Sequence, residues 1–599
     1  MTAMPLSAPS EDLGALPNWN LGDLYAGPDA PALEADFQRA QELAEAFQAR
    51  YETRVRLLSG AALAAVIGEY EKLQELLGRI GSYAGLLYAG DMNDATIGQF
   101  YQTAQERMNA IGTRVLFFTL EINRIADGDL EPKFAAPELA RWRPWLREVR
   151  VYRPHQLSDE LEKLLYEKYV SGRSAWSRLF DETLAGLRFD IGGRALTNAE
   201  AFNLLSNPDG AKRKEAATAI TSGLGGAIRT FGLVHNTLAK DKEIEDRWRN
   251  YARPISARNL SNCVEDETVD ALIGAVRAAY PSLAHRYYRL KAKWLGQGKL
   301  NHWDRNAPLP GDDDRVIPWE DARAIVLDSY RRFSPVLAEI GERFFSQGWI
   351  DAPVRAGKSP GAFAHPTVPS AHPYILVNYQ GRTRDVMTLA HELGHGVHQI
   401  LAGGQGHLLA ETPLTLAETA SVFGEMLTFR SLLAAETEPK RRRILLARKV
   451  EDMINTVVRQ IAFCEFERRF HDERRQGEVT PERIGAIWLE IQREALGDAF
   501  IFDADYAPYW SYIPHFVHTP FYVYAYAFGD CLVNSLYTVY EKFPLGFAVR
   551  YRAMLAAGGT LRHRELLAPF GLDASDPGFW DRGLGVIRGF IDELEALDA

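Results

Sequence analysis

The pentapeptide His391-Glu392-Leu393-Gly394-His395 constrains this chain more than any other feature. On an α-helix, positions i and i+4 share a face about one turn apart, so both imidazoles can reach a single ion at ~2.0–2.1 Å. Glu392, about 100° round the helix, can face a water beside that ion. The surrounding segment TLAHELGHGVHQI is therefore read as a helix, with Thr383 or Asp385 as its cap.

Two imidazoles need a third ligand. His398 shares the face of His391 but lies about 10.5 Å further along the axis, too far for one ion to hold both. A metzincin would place Gly at 398 and His at 401, where this chain has His398 and Leu401. A carboxylate from a second helix is then required. LAETASVFGEMLTF supplies Glu418, 27 positions after His391, and Glu425 two turns later on the same face. Glu418 is the ligand candidate, with Glu411 as a rival. Glu425 is placed to orient an imidazole N–H, and His398 joins it beside the ligands rather than among them. Two neutral imidazoles and one carboxylate with an open fourth position suit one Zn2+ per chain.

The rest of the chain reads as mainly α. Apolar stripes recur at Val66, Tyr70, Leu73, Leu77 and Ile80, at Leu161, Leu164, Leu165 and Tyr169, and at Leu446, Val450, Met453, Ile454 and Val457. Strand signals are few. LRFDIGGRAL carries a Gly192-Gly193 hairpin turn, and PYILVNY (373–379) is a short strand that could offer a free edge to an extended peptide. Gly296 to Pro318 is a long loop, and its Asp312, Asp313 and Asp314 lack the Gly and distal Glu of a calcium loop.

A net charge of −11 opposes binding to nucleic acid and to anionic membranes, and the basic run Lys440 to Arg443 reads as a solvated helix face. Cys263, Cys464 and Cys531 are odd in number and widely spaced, so a disulfide framework is not expected and a reducing cytoplasm fits. No signal peptide and no apolar run of spanning length is evident.

WSYIPHFVHTPFYVYAYAFG (510–529) gathers His515, His518, Tyr522, Tyr524 and Tyr526. By itself such a run is commonest in aromatic cores, but beside a zinc helix it becomes a source of donors for an oxyanion. HELGHGVH, LAETAS and IPHFVHTPFYVYAYAFG together resemble the M3 peptidase family, and within it the oligoendopeptidase F group. WNLGDLY (19–25), RPHQLSDELEKLL (153–165) and GKSPGAF (357–363) extend the similarity over nearly the whole chain.

The resemblance implies a mainly α, two-lobed zincin with a deep central channel and a small β-sheet near the site. We expect an N-terminal helical lobe over 1–200 and a catalytic region over 201–599, with the lobes interleaving. It also implies zinc-dependent cleavage of internal bonds in short unstructured peptides. The group's zinc ligands map onto His391, His395 and Glu418, its general base onto Glu392, and its transition-state-stabilising groups onto His515, Tyr522 and Tyr524, with His518 the alternative to His515. A dipeptidyl carboxypeptidase of the same family and a non-catalytic peptide-binding scaffold are the rival readings.

Overall fold

The computed structural model describes residues 13–169, 171–310 and 315–598. Helices dominate, as the apolar period requires, and the chain divides into two units, each assembled from three separated stretches. The first comprises Met1–Arg153, Asp314–Ala435 and Val539–Gly571, and the second comprises Pro154–Asp313, Glu436–Thr538 and Leu572–Ala599. Position 200 falls inside the second of these. Among the described residues no helix is long and apolar enough to cross a membrane.

Among the described residues seven short strands accompany the helices: β1 (Phe189–Ile191), β2 (Arg194–Leu196), β3 (Leu300–Asn301), β4 (Ile350–Asp351), β5 (Phe363–His365), β6 (Tyr374–Leu376) and β7 (Phe500–Ile501). In the first unit, β6 pairs with β4 in parallel and with β5 antiparallel, giving the order β4-β6-β5. This corrects the expectation for PYILVNY. Its strand is central and has no free edge, because Tyr374, Ile375 and Leu376 are all buried between neighbours.

The motifs at the ends of the first unit serve this sheet. Lys358, from GKSPGAF, is buried and its Nζ donates to Asp351 Oδ1 at 2.7 Å, Pro353 O at 2.9 Å and Val377 O at 2.7 Å. One ammonium thereby ties the loop after β4 to the end of β6. In WNLGDLY, Asn20 accepts from the Tyr374 hydroxyl through its carbonyl at 2.7 Å, and the Trp19 ring meets Tyr374 edge-on.

Helix Gly60–Gly90 starts at Ser59, whose hydroxyl accepts from Ala62 N–H, and buries Val66, Leu73, Leu77 and Ile80. Each such side chain contributes roughly 1.5–3 kcal/mol relative to exposure.

The second unit contains the hairpin β1–β2, with Gly192 and Gly193 both at positive φ, and the parallel pair β3–β7, whose first strand lies within the expected loop 296–318. Asp312, Asp313 and Asp314 lie outside the described residues, as do residues 1–12. Helix Pro439–Thr456 buries Leu446, Val450, Met453 and Ile454. On its first turn Arg441 pairs with Glu438, Arg442 with Glu593 and Arg443 with Asp598, a solvated and compensated face. The stripe at 161–169 forms the helix Asp159–Tyr169, but Leu164 and Tyr169 are each 52% exposed, so helical period there does not mark a core.

Candidate functional site

HELGH lies in the helix Thr383–Ala402. Asp385, in its first turn, accepts from the N–H groups of Gln380 at 2.9 Å and Arg382 at 3.0 Å, so the cap comes from Asp385 rather than Thr383. The second helix, Leu414–Ala435, packs closely against it. Gly394 makes this approach possible: a Cβ there would sit 2.5 Å from Ala420 O and 2.6 Å from Ser421 Cα. Gly424 likewise leaves room for Tyr330, whose hydroxyl donates to Ala390 O at 2.8 Å, next to His391.

The close crossing brings three donor atoms together. Glu418 Oε2 lies 3.3 Å from His391 Nε2 and 3.5 Å from His395 Nε2. Tetrahedral coordination with bonds of ~2.0–2.1 Å requires donors about 3.4 Å apart, which both Glu418 distances match, and all three donor atoms lie within 4.8 Å of one another. It is the one group of three or more such residues that could hold a metal among the described residues, and Glu411 is not in it. Exposures of 26% for His391, 19% for His395 and 23% for Glu418 leave the set reachable for a substrate.

Supporting contacts fix each donor. His391 Nδ1 lies 3.2 Å from Glu425 Oε2, which selects the tautomer that leaves Nε2 for an ion. Ser421 donates to Glu418 Oε2 at 2.7 Å from one turn along the same helix. His398 is buried with Thr412 Oγ1 at 3.4 Å from its Nε2 and a hydrogen bond to the Ala417 backbone, so its partners belong to the stretch leading into the second helix.

Electrostatics follow from this packing. Burial would lower the His391 pKa, but hydrogen bonds to Glu418 and Glu425 raise it to about 10 in the metal-free cluster. Burial would raise Glu418, but the His391 hydrogen bond and the two imidazoles lower it to about 2. Burial lowers His395 to about 4. Glu392 is buried, and desolvation raises it to about 7 although it accepts a hydrogen bond from the Ala364 backbone in β5. Gln399 Nε2 donates to the carbonyl of the same Ala364 at 3.1 Å, so both backbone groups of this edge residue are held by the motif helix.

In the second unit, His515 and the tyrosines form their own cluster. The His515 ring stacks on Tyr522 with centroids 6.0 Å apart, and its Nε2 lies 3.4 Å from the Tyr526 hydroxyl. His518 instead pairs with Asp181 at 2.8 Å. Tyr524 departs from the expectation: it is fully buried, and its hydroxyl accepts from Asn262 Nδ2 at 2.9 Å. Its hydroxyl is engaged inside the unit, whereas Tyr522 and Tyr526 are half-buried and flank His515. Tyr522 lies just before the helix Tyr524–Lys542 and Tyr526 in its first turn, and their rings meet with centroids 5.3 Å apart.

Residues 320–586 match the family described as Peptidase family M3, and residues 121–189 match Oligopeptidase F, together more than half of the chain. The chain belongs to peptidase family M3.

This M3 peptidase is a hydrolase of the metallopeptidase kind. It is 27% identical to oligopeptidase PepF of Bacillus subtilis over 97% of this chain and 87% of that one. It is 26% identical to the group B oligopeptidase PepB of Streptococcus agalactiae over 88% of each. In fold, the M3 peptidase is similar to a crystallised protein of Chlamydophila abortus, with a TM-score of 0.85 and 22% identity over 97% of this chain and 98% of that one. It is also similar to oligoendopeptidase-F of Enterococcus faecium, with a TM-score of 0.68 and 22% identity over 95% and 99%.

Proposed function

We propose that this M3 peptidase is a zinc-dependent endopeptidase that hydrolyses internal bonds of short peptides. The observation that carries the reading is the convergence of Glu418 Oε2 on the two imidazole Nε2 atoms, with Glu392 buried on the same helix. Zinc held by His391, His395 and Glu418 would polarise the scissile carbonyl and lower the pKa of water toward ~7.

Glu392 is the general base. Its pKa of about 7, set by burial, matches the proton it must take from the attacking water and return to the leaving amine. The carbonyl carbon gains the hydroxyl, the C–N bond breaks, and Glu392 delivers the proton to nitrogen, leaving a carboxylate and an amine. His515 and Tyr522, with Tyr526 in the place expected for Tyr524, supply donors to the oxyanion. The buried thiols Cys464 and Cys531, which form no disulfide, suit a reducing compartment such as the cytoplasm.

The test combines a substrate and a variant. A peptide blocked at both ends should be cut internally, and Glu392→Gln should lower kcat by ~10²–10⁴ with zinc retained. Release of only C-terminal dipeptides from unblocked peptides would favour the dipeptidyl carboxypeptidase reading, and near-normal turnover by the variant would remove Glu392 from the mechanism.

A further inference from the structure

A concentration of positive charge in the second unit has no part in the chemistry above. Arg305 and Arg459, the latter on the helix Val458–Gln476, are both half-buried in the second unit. Among the described residues no carboxylate lies within 4.0 Å of either guanidinium. Each guanidinium carries five N–H donors. Arg459 Nη2 donates to the Tyr512 hydroxyl at 3.2 Å, Arg305 Nε reaches Asn306 Oδ1 at 3.4 Å, and Arg459 Nε is buried with no partner. Leaving such a donor unsatisfied is unfavourable, more so when it is charged.

The two cations also oppose one another. Burial first, and then the charge of Arg305, lower the pKa of Arg459. Lys291 adds a third cation, its Nζ donating to Arg305 O at 2.6 Å, but Glu451 pairs with that ammonium. The Glu451 charge acts on Arg305 as well as on Lys291, whereas Arg459 lies among phenols with no acid among the charges that shift it, and such a guanidinium is favourable in a partly desolvated place when an anion joins it. The place has a direction as well. Tyr512 precedes His515 by three residues, and Arg459 is the leading charge, after burial, that lowers the His515 pKa.

We propose that Arg305, Arg459 and the Tyr512 hydroxyl form a subsite for a peptide carboxylate, held within reach of His515. Planar guanidinium groups match a carboxylate through paired N–H donors, and short substrates carry one at the C-terminus or on an acidic side chain. The subsite rests on the peptidase reading and adds to it a reason for preferring short peptides: a carboxylate fixed beside His515 sets how far from that group the chain is cut.

The experiment compares a short peptide ending in a free carboxylate with its C-terminal amide. The wild-type protein should cut the amide with kcat/KM roughly tenfold lower, through KM, and Arg459→Met or Arg305→Met should cut acid and amide alike. An amidated peptide with Glu or Asp near its end separates the sources. Recovery assigns the subsite to a side-chain carboxylate, and its absence assigns it to the C-terminus. Equal KM for acid and amide in the wild-type protein would overturn the proposal, as would a preference that persists in both variants. Should the arginine variants fail to fold, the wild-type comparison still decides. Binding of the two fluorescein-labelled peptides to zinc-loaded Glu392→Gln separates this subsite from the chemistry: no cleavage by wild type would refute the hydrolytic reading, while tighter binding of the acid would still support the subsite.

Discussion

Gly394 and Ala420 touch where the two helices of the metal cluster cross, and a Cβ on Gly394 would stand 2.5 Å from the Ala420 carbonyl oxygen. The atoms in the way are backbone, so neither can rotate aside. Glu418 sits half a turn before this contact, and its distance to both imidazoles depends on the crossing.

Gly394→Ala should therefore act on the metal as well as on the fold. Forcing the helices apart costs about 1–3 kcal/mol of stability and weakens zinc binding with it. Thermal unfolding and zinc affinity measured on the same preparation check this, and unchanged affinity would mean that the crossing does not set the donor spacing.

Glu425→Gln removes the charge behind His391 and keeps the side-chain volume. Zinc should bind about 10–100-fold more weakly, as expected when an outer partner of a ligating imidazole is altered, while the helices remain packed. Competition with a chelator of known affinity gives the ratio.

Metal uptake should also release protons. In the metal-free protein His391 is raised to about 10, so it is charged at pH 7, whereas His395, lowered to about 4, is neutral and Glu418, lowered to about 2, is ionised. A pKa raised on folding stabilises the metal-free protein fully below the ordinary value of 6.5, and that contribution is lost as pH climbs through 10. Zinc requires the neutral ring, so about one proton should leave the ligand set per ion near pH 7, and affinity should rise with pH until His391 is deprotonated. Calorimetry in buffers of different ionisation enthalpy counts these protons.

In the aromatic cluster the variants should divide by placement. His515→Ala and Tyr522→Phe should lower kcat by ~10²–10³ and Tyr526→Phe should follow them, whereas Tyr524→Phe should lose about 0.5–1.5 kcal/mol of stability through its Asn262 partner with little effect on turnover. Single-turnover rates alongside thermal melts separate the two outcomes.

What the sequence made legible was local. HELGH fixes its own geometry, because two ligands one helical turn apart carry their spacing with them, and Glu418 followed from the need for a carboxylate on a second helix. The cap at Asp385 was one of two residues within reach of the same turn, and only backbone geometry chose between them. The burial of Tyr524 was not legible, because a run of aromatic residues does not say which of them turn inward, and Asn262, its partner, is 262 positions away. PYILVNY read correctly as a strand, but its neighbours β4 and β5 were too short to register a pattern, so its central place was invisible. Arg305 and Arg459 carried no motif at all, and the Tyr512 partner of Arg459 is 53 positions away.

Stepwise return of zinc to chelated protein, with cleavage of an end-blocked peptide as the readout, tests the central claim most directly. Turnover should be absent without metal, rise linearly with added zinc to saturate at about one ion per chain, and fail to recover in Glu418→Ala at the same zinc. Cleavage that persists in the metal-free protein, or a Glu418→Ala variant that takes up zinc and turns over as the wild type does, would contradict it.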